Sequence, residues 1–290
     1  MTPPPALLNA LRRSRLSIRH AVPSTGVGER RSQQKGSGLE FADYREYQPG
    51  DDVRHLDPHL HARHGGYFTR QYAVDQQVPV TIVLDASASM QSGEPDKFAF
   101  GRDLAAAVAF VALAGGDAAQ IVGCVNGETS LSPRVQGVDR APVLFRWIDA
   151  LEPAGGGFGR LLPGIERKLK PRSLTFLISD FWLDDPERDL KGLGGSGCEF
   201  IALHLLSPQE CDPAHLAQGQ SCLVDAESGE EVEMNLDSGA LDRYARALAA
   251  WRETLRGAFG RLHGRYLPVR SDASLEKLLL RDWRSMGLLA

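Results

Sequence analysis

The stretch that decides the reading is VPVTIVLDASASM, residues 78–90. Val78 to Leu84 form a short run rich in β-branched residues that stops at Asp85, the pattern of a strand buried on both faces of a sheet. Asp85-Ala86-Ser87-Ala88-Ser89 then spells D-x-S-x-S at the carboxyl edge of that strand, the edge where ligands of open α/β sheets gather. An acid and two hydroxyls spaced two apart in a loop can turn their oxygens towards one point, which suits a hard divalent cation such as magnesium.

Working outward, Phe100, Leu104, Ala107, Val108 and Val111 recur at helical spacing and predict a helix over residues 96–114. Further strands are predicted at 120–125, 174–179 and 200–206, with helical stretches near 142–151 and 161–169. This alternation argues for an α/β sheet covered on both faces. The apolar run 174–179 ends directly in Asp180, so if the two strands are parallel neighbours Asp180 and Asp85 share one sheet edge. A polar insertion near 207–237 contains an expected hairpin over 222–234 turning at Ser228-Gly229. Leu241, Tyr244, Leu248, Trp251, Leu255 and Phe259 then lay down a long helical stripe, followed by a strand at 265–270 and a final helix from Ala273.

Ahead of this lie two other segments. Residues 36–77 are a polar-aromatic block in which Tyr44, Tyr47, Tyr67, Phe68 and Tyr72 sit among charges and Pro49-Gly50 and Gly65-Gly66 mark turns, so short strands are expected. Residues 1–35 read as a basic, partly mobile arm. The chain has 290 residues, 42% hydrophobic and 24% charged, an ordinary globular composition. Its net charge of −4 hides +6 over residues 1–38, −15 over 39–240 and +5 over 241–290, a polarity able to orient a charged partner. No aromatic residue is interleaved among Arg12, Arg13, Arg15, Arg19, Arg30 and Arg31, so nucleic acid is not an expected partner.

No run of about 18 apolar residues is present, and the expectation is a cytoplasmic protein without an integral membrane segment. Cys124, Cys198, Cys211 and Cys222 form no C-x-x-C pair and read as buried reduced thiols. His55, His59, His61 and His64 crowd ten residues, yet their spacings match no standard zinc array. Acid pairs such as Asp51-Asp52 read as solvated loops. No G-x-S-x-G elbow and no G-x-x-x-x-G-K-[ST] loop occurs, which leaves serine hydrolase and P-loop ATPase readings without their motifs.

The D-x-S-x-S loop with a later strand-end aspartate resembles the metal-ion-dependent adhesion site of von Willebrand factor A-like domains. Gly38-Leu39-Glu40-Phe41, Tyr44-Arg45-Glu46-Tyr47, Pro49 to Arg54 with Asp57, Ala62-Arg63, Asp85 to Met90 and Ile178 to Phe181 together resemble the bacterial domain of unknown function 58 family. The resemblance implies a von Willebrand factor A-like, mostly parallel sheet with helices on both faces and a small N-terminal β-containing subdomain. It implies a metal site of Asp85, Ser87, Ser89 and Asp180 for Mg2+ or Mn2+. It also implies a non-enzymatic adaptor that works with a MoxR-type AAA+ ATPase and a client protein. Arg54 and Asp57 are the expected inward-facing pair of the N-terminal block. One departure bears on the metal: the family pattern takes a third hydroxyl from threonine in a Gly-rich loop, and here that loop reads Gly155-Gly156-Gly157-Phe158-Gly159. The alternatives are a metal-free scaffold, in which Asp85 and Ser87 only cap turns, and a metal-assisted hydrolase using the same edge carboxylates.

Overall fold

The computed structural model describes residues 3–17, 31–32, 40–49, 51, 53–75, 77–125, 128–153, 155–212 and 219–290. In chain order the first elements are α1 (Pro5–Leu11), β1 (Arg31–Ser32), β2 (Glu40–Glu46), α2 (Pro58–His64) and β3 (Phe68–Asp75). There follow β4 (Pro79–Asp85), α3 (Lys97–Ala114), β5 (Ala118–Val125), β6 (Glu128–Leu131), β7 (Val135–Gln136), α4 (Ala141–Asp149) and α5 (Leu162–Glu166). The remainder holds β8 (Leu174–Ser179), α6 (Pro186–Leu190), β9 (Glu199–Leu206), α7 (Pro208–Cys211), β10 (Gly219–Val224), β11 (Glu231–Leu236), α8 (Ser238–Arg261) and β12 (Arg265–Arg270). A short helical run over residues 275–285 follows β12.

Two units result, one formed by residues 1–17 with 78–290 and the other by 18–77. The basic arm expected over 1–35 is therefore divided: α1 is a helix whose Leu7 and Leu11 are buried, and Leu16 is buried and bridges Leu289. Apolar residues at a helical spacing of four drive that packing, a stronger influence than the neighbouring arginines. The rest of the expected arm lies almost wholly outside the described residues.

In the smaller unit β3 pairs antiparallel with both β1 and β2. Asp57 caps α2, accepting from the His59 and Leu60 amides at 2.9 and 3.3 Å, and takes the Tyr44 hydroxyl at 3.0 Å. Asp57 is buried as expected, but Arg54 is exposed, and the inward contacts of Asp57 include a phenol and the helix start. Asp51 is likewise buried rather than solvated, held by Arg45 at 2.7 Å and the Gln48 amide at 3.0 Å.

The larger unit is built on a seven-stranded sheet ordered β12-β9-β8-β4-β5-β6, with β7 also on β5. β12, β9, β8, β4 and β5 are parallel to their neighbours, while β6 and β7 run antiparallel to β5. β4 lies in the middle because its residues from Val80 to Asp85 are buried without exception. Side chains alternate along it: Val83, with Leu177 on β8 and Ala202 on β9, joins a core with Phe158, Leu161, Ile165, Phe181, Leu255 and Phe259. Leu84, Ile178 and Leu205 face α3, where Gly101 permits close approach; a Cβ there would stand 3.3 Å from the Leu84 Cδ1. Asp96 starts α3 by accepting from the Phe98 and Ala99 amides at 2.7 and 3.2 Å. Among the described residues no helix is long and apolar enough to cross a membrane. The chain leaves β4 towards β5 on one side and returns to β8 on the other, so the carboxyl end of β4 is a topological switch point.

Candidate functional site at the carboxyl edge of the central strands

Parallel pairing of β4 with β8, in the register Leu84 to Ile178, carries Asp85 and Asp180 to the same edge as expected. Asp85 closes an Asx-type turn by accepting the Ser87 amide on Oδ1 at 2.9 Å, and it accepts the Ser179 hydroxyl on Oδ2 at 2.6 Å. Ser179 in turn accepts the Phe181 amide at 2.9 Å. Phe181 sits at φ 48°, a left-handed conformation that costs an L-residue about 1–2 kcal/mol. The Ser179 hydrogen bond and the packing of the Phe181 ring edge-on to Phe158 and Phe259 hold the kink that aims Asp180.

Asp180 does not face solvent. Its Oδ2 accepts from the Lys97 ammonium at 2.9 Å, and Lys97 reaches on to Glu210 Oε1 at 2.5 Å. The Lys97 side chain has no exposed surface. Burial works against its charge, but the two carboxylates outweigh that and its pKa is raised, so it is an ammonium ion. Glu210 is set by a capping box at the start of α7, where its other oxygen accepts the Ser207 amide at 2.7 Å. Burial and the neighbouring Asp180 raise the pKa of Asp85, and burial raises that of Asp180 in spite of Lys97. The cluster is short of positive charge.

Ser87 and Ser89 bring their hydroxyls within 3.1 Å of each other, and Ser89 hydrogen-bonds Asp180. Above them stands a carboxylate from far along the chain. Glu227, in the turn between β10 and β11, accepts the Ser89 amide at 3.2 Å on one oxygen and the Gly156 amide at 2.8 Å on the other. Gly156 has φ 113°, a conformation open to glycine that L side chains rarely adopt. Beside this contact is a cavity of about 910 Å³ walled by Trp182, Tyr244, Leu248 and Trp251 and bordered by Arg160 and the hairpin tip.

The donor set fits a hard divalent ion in type and in charge: two hydroxyls, two buried carboxylates, and, among the described residues, Lys97 as the cation paired with Asp180 and Glu210. Among the described residues no three His, Cys, Asp or Glu side chains gather as a metal-binding group, so an ion at this edge rests on the serines as much as on the acids. Phe158 offers no donor. Its ring is buried in the core against Phe181, so the Gly-rich loop supplies packing where the family pattern has a hydroxyl.

Sequence reasoning placed Asp85, Ser87, Ser89 and Asp180 at one edge and missed Lys97, Ser179, Glu210 and Glu227. Lys97 was detectable: it falls on the stripe of Gly101, Leu104, Val108 and Val111, where a charge on a buried helix face demands a partner. Glu227 carried no local signal, since only tertiary folding brings it to Ser89, 138 residues away in sequence. Three of the thiols are also less buried than expected. Cys198 and Cys211 are half-buried and Cys222 is exposed.

The family model described as "Protein of unknown function DUF58" matches residues 43–254. The chain belongs to this family. Uncharacterized proteins of Mycobacterium tuberculosis and Mycobacterium bovis are 29% identical to it over 294 residues, covering 96% of this chain and 87% of theirs. Solved structures with a similar arrangement include the conserved hypothetical protein BatB from Bacteroides thetaiotaomicron, at 15% identity and a TM-score of 0.43 over 72% of this chain and 98% of that one. A von Willebrand factor type A protein from Catenulispora acidiphila is similar at 14% identity and a TM-score of 0.44, over 75% of this chain and 43% of that one. This DUF58 chain has an α/β fold with a mostly parallel sheet, and its D-x-S-x-S loop follows the central strand.

Proposed function

We propose that this DUF58 protein is a non-enzymatic interaction module whose working face is the carboxyl edge of β4 and β8. The observation that carries the reading is the convergence of Asp85, Ser87, Ser89 and Asp180, hard oxygen donors with too little positive charge among them. Ser87, Ser89 and Asp180 would hold a Mg2+ or Mn2+ ion, with Asp85 fixing the loop through its hydrogen bonds to Ser87 and Ser179. A bound ion would supply an electrophilic point for a carboxylate of a partner protein. Following the family resemblance, the partner is a MoxR-type AAA+ ATPase, the setting is protein maturation or complex assembly in the cytoplasm, and a client protein completes the assembly.

The non-enzymatic reading is supported by the state of the neighbouring imidazole. His204, beside Ser179 in register, is held with a pKa of about 3, far below the value that serves a general base at neutral pH. A second reading, a metal-free scaffold, is favoured by the Lys97–Asp180 pair, which already gives the edge one fixed cation.

Calorimetric titration of Mg2+ and Mn2+ into the wild type and Asp85→Ala separates the two. Metal binding that is lost in Asp85→Ala, together with chelator-sensitive capture of the ATPase, supports the first reading. Capture indifferent to chelator, with no metal heat, supports the scaffold.

A further inference from the structure

The face that the proposed function requires to be open is shut, and the groups that shut it suggest what it binds. Ser89 and Gly156 belong to two different loops, yet both amides point at one carboxylate, that of Glu227. A carboxylate accepting two backbone N–H groups is a charge-assisted, geometrically defined contact. It also ties the hairpin tip to this edge. The tip is otherwise self-contained: Asp225 Oδ1 accepts the Glu227 amide, the Ser228 amide and the Ser228 hydroxyl at 3.0, 2.6 and 2.8 Å, and Asp225 and Glu230 close the turn at 2.8 Å. Among the described residues its strands pair only with each other, and Leu223, Val224, Val232 and Met234 on them are exposed. A preformed tip on a hairpin with so little burial can leave the body without losing its own structure.

The cavity beside Glu227 has a wall of stacked aromatic rings, with Trp182 and Trp251 centroids 6.2 Å apart, and Trp182 is 43% exposed. At its border Arg160 is exposed and makes no ion pair among the described residues, whereas Arg188 is held by Asp189. An anion-accepting amide pair, a free guanidinium and an aromatic wall together suit an acidic side chain flanked by an apolar one.

We propose that the Ser89–Gly156 amide pair is a carboxylate-recognition site, that Glu227 is its resident occupant, and that an acidic side chain of a partner protein binds by displacing the β10–β11 tip and setting its apolar neighbour against Trp182 and Trp251. The inference rests on the proposed interaction role and adds a backbone-amide seat for the partner's carboxylate and the element that competes for it. The hairpin is then a latch: apparent affinity is the intrinsic affinity reduced by the fraction of molecules with the tip open.

The test uses the full chain, the probe peptide acetyl-Glu-Leu-amide and its glutamine counterpart, with backbone amide resonances as the readout. Glu227→Ala is the informative variant because its side chain lies at a hairpin tip outside the core. Hydrogen exchange of the Ser89 and Gly156 amides should quicken by about tenfold or more in Glu227→Ala, and the glutamate peptide should bind the variant about tenfold more tightly than the wild type. Binding should shift the Ser89 and Gly156 amides and the Trp182 and Trp251 indoles, and the glutamine peptide should do neither. Equal affinity of wild type and variant would overturn the latch, and equal binding of the two peptides would overturn carboxylate recognition. Both titrations are run in magnesium and in chelator. Glutamate-specific binding that persists in chelator supports this inference while removing the ion from the proposed function; loss of glutamate specificity in both buffers overturns the inference whatever the metal does.

Discussion

Keeping a single buried imidazole neutral should carry a measurable stability cost in acid. His204 on β9 has no exposed surface, and the Tyr266 hydroxyl sits on its Nδ1. Burial, then the nearby positive charges of Arg252 and Lys97, lower its pKa from 6.5 to about 3, with a backbone contact to Asp180 in partial opposition. Below pH 6.5 the unfolded chain binds a proton that the folded chain refuses until about pH 3, so stability falls as pH falls through that window. Each pH unit in it costs about 1.36 kcal/mol, or about 2 kcal/mol at pH 5.0 relative to pH 7.5. Asp85 acts in the other direction, since its raised pKa lets the folded state take up a proton first and gain stability on acidification. The wild-type curve alone therefore mixes opposing effects, and the measurement must be a difference. Urea unfolding of wild type and His204→Gln at pH 7.5 and 5.0 isolates the imidazole, because Asp85 is common to both. The glutamine amide keeps an acceptor for Tyr266, and the stability gap between the proteins should shrink by about 2 kcal/mol at the lower pH. A gap that is the same at both values would refute a buried, neutral His204.

Four further outcomes follow from the same geometry. Lys97→Met should lose about 3–5 kcal/mol by urea unfolding because Asp180 is left buried and unpaired, and adding Asp180→Asn should recover most of it. Asp85→Asn should unfold at no lower urea concentration than wild type at pH 8, since it removes a buried charge crowded by Asp180, while capture of the ATPase should fall; a protein that is both less stable and fully competent would contradict the assignment. Phe158→Thr should cost about 3–5 kcal/mol in thermal or urea unfolding rather than improve a metal site, because the ring it removes fills the core beside Phe181. Leu11→Ala should cost about 2–5 kcal/mol, whereas a merely tethered N-terminal segment would leave the melting temperature unchanged.

Local patterning carried most of the fold. The apolar runs at β4 and β8, the stripe of α3 and the strand of β12 were readable because burial on a sheet or a helix face imposes a period that a linear sequence displays. The aspartates ending two such runs were readable for the same reason, as a charge terminates an apolar strand and marks its edge. Phe158 was legible as a missing hydroxyl but not as a core residue, since a Gly-rich loop has no period from which to tell which way its one large side chain turns.

By itself the sequence determined that Asp85, Ser87, Ser89 and Asp180 would meet if β4 and β8 were parallel neighbours. Tertiary structure alone decided the charge and access of that meeting place. Lys97 neutralises Asp180 because α3 packs one turn of its buried face against the strand ends, and Glu227 covers Ser89 because a hairpin more than a hundred residues downstream folds back across the edge. Hydrogen bonding and ion pairing act over about 3 Å in space and are blind to separation along the chain, so no reading of local pattern reaches them.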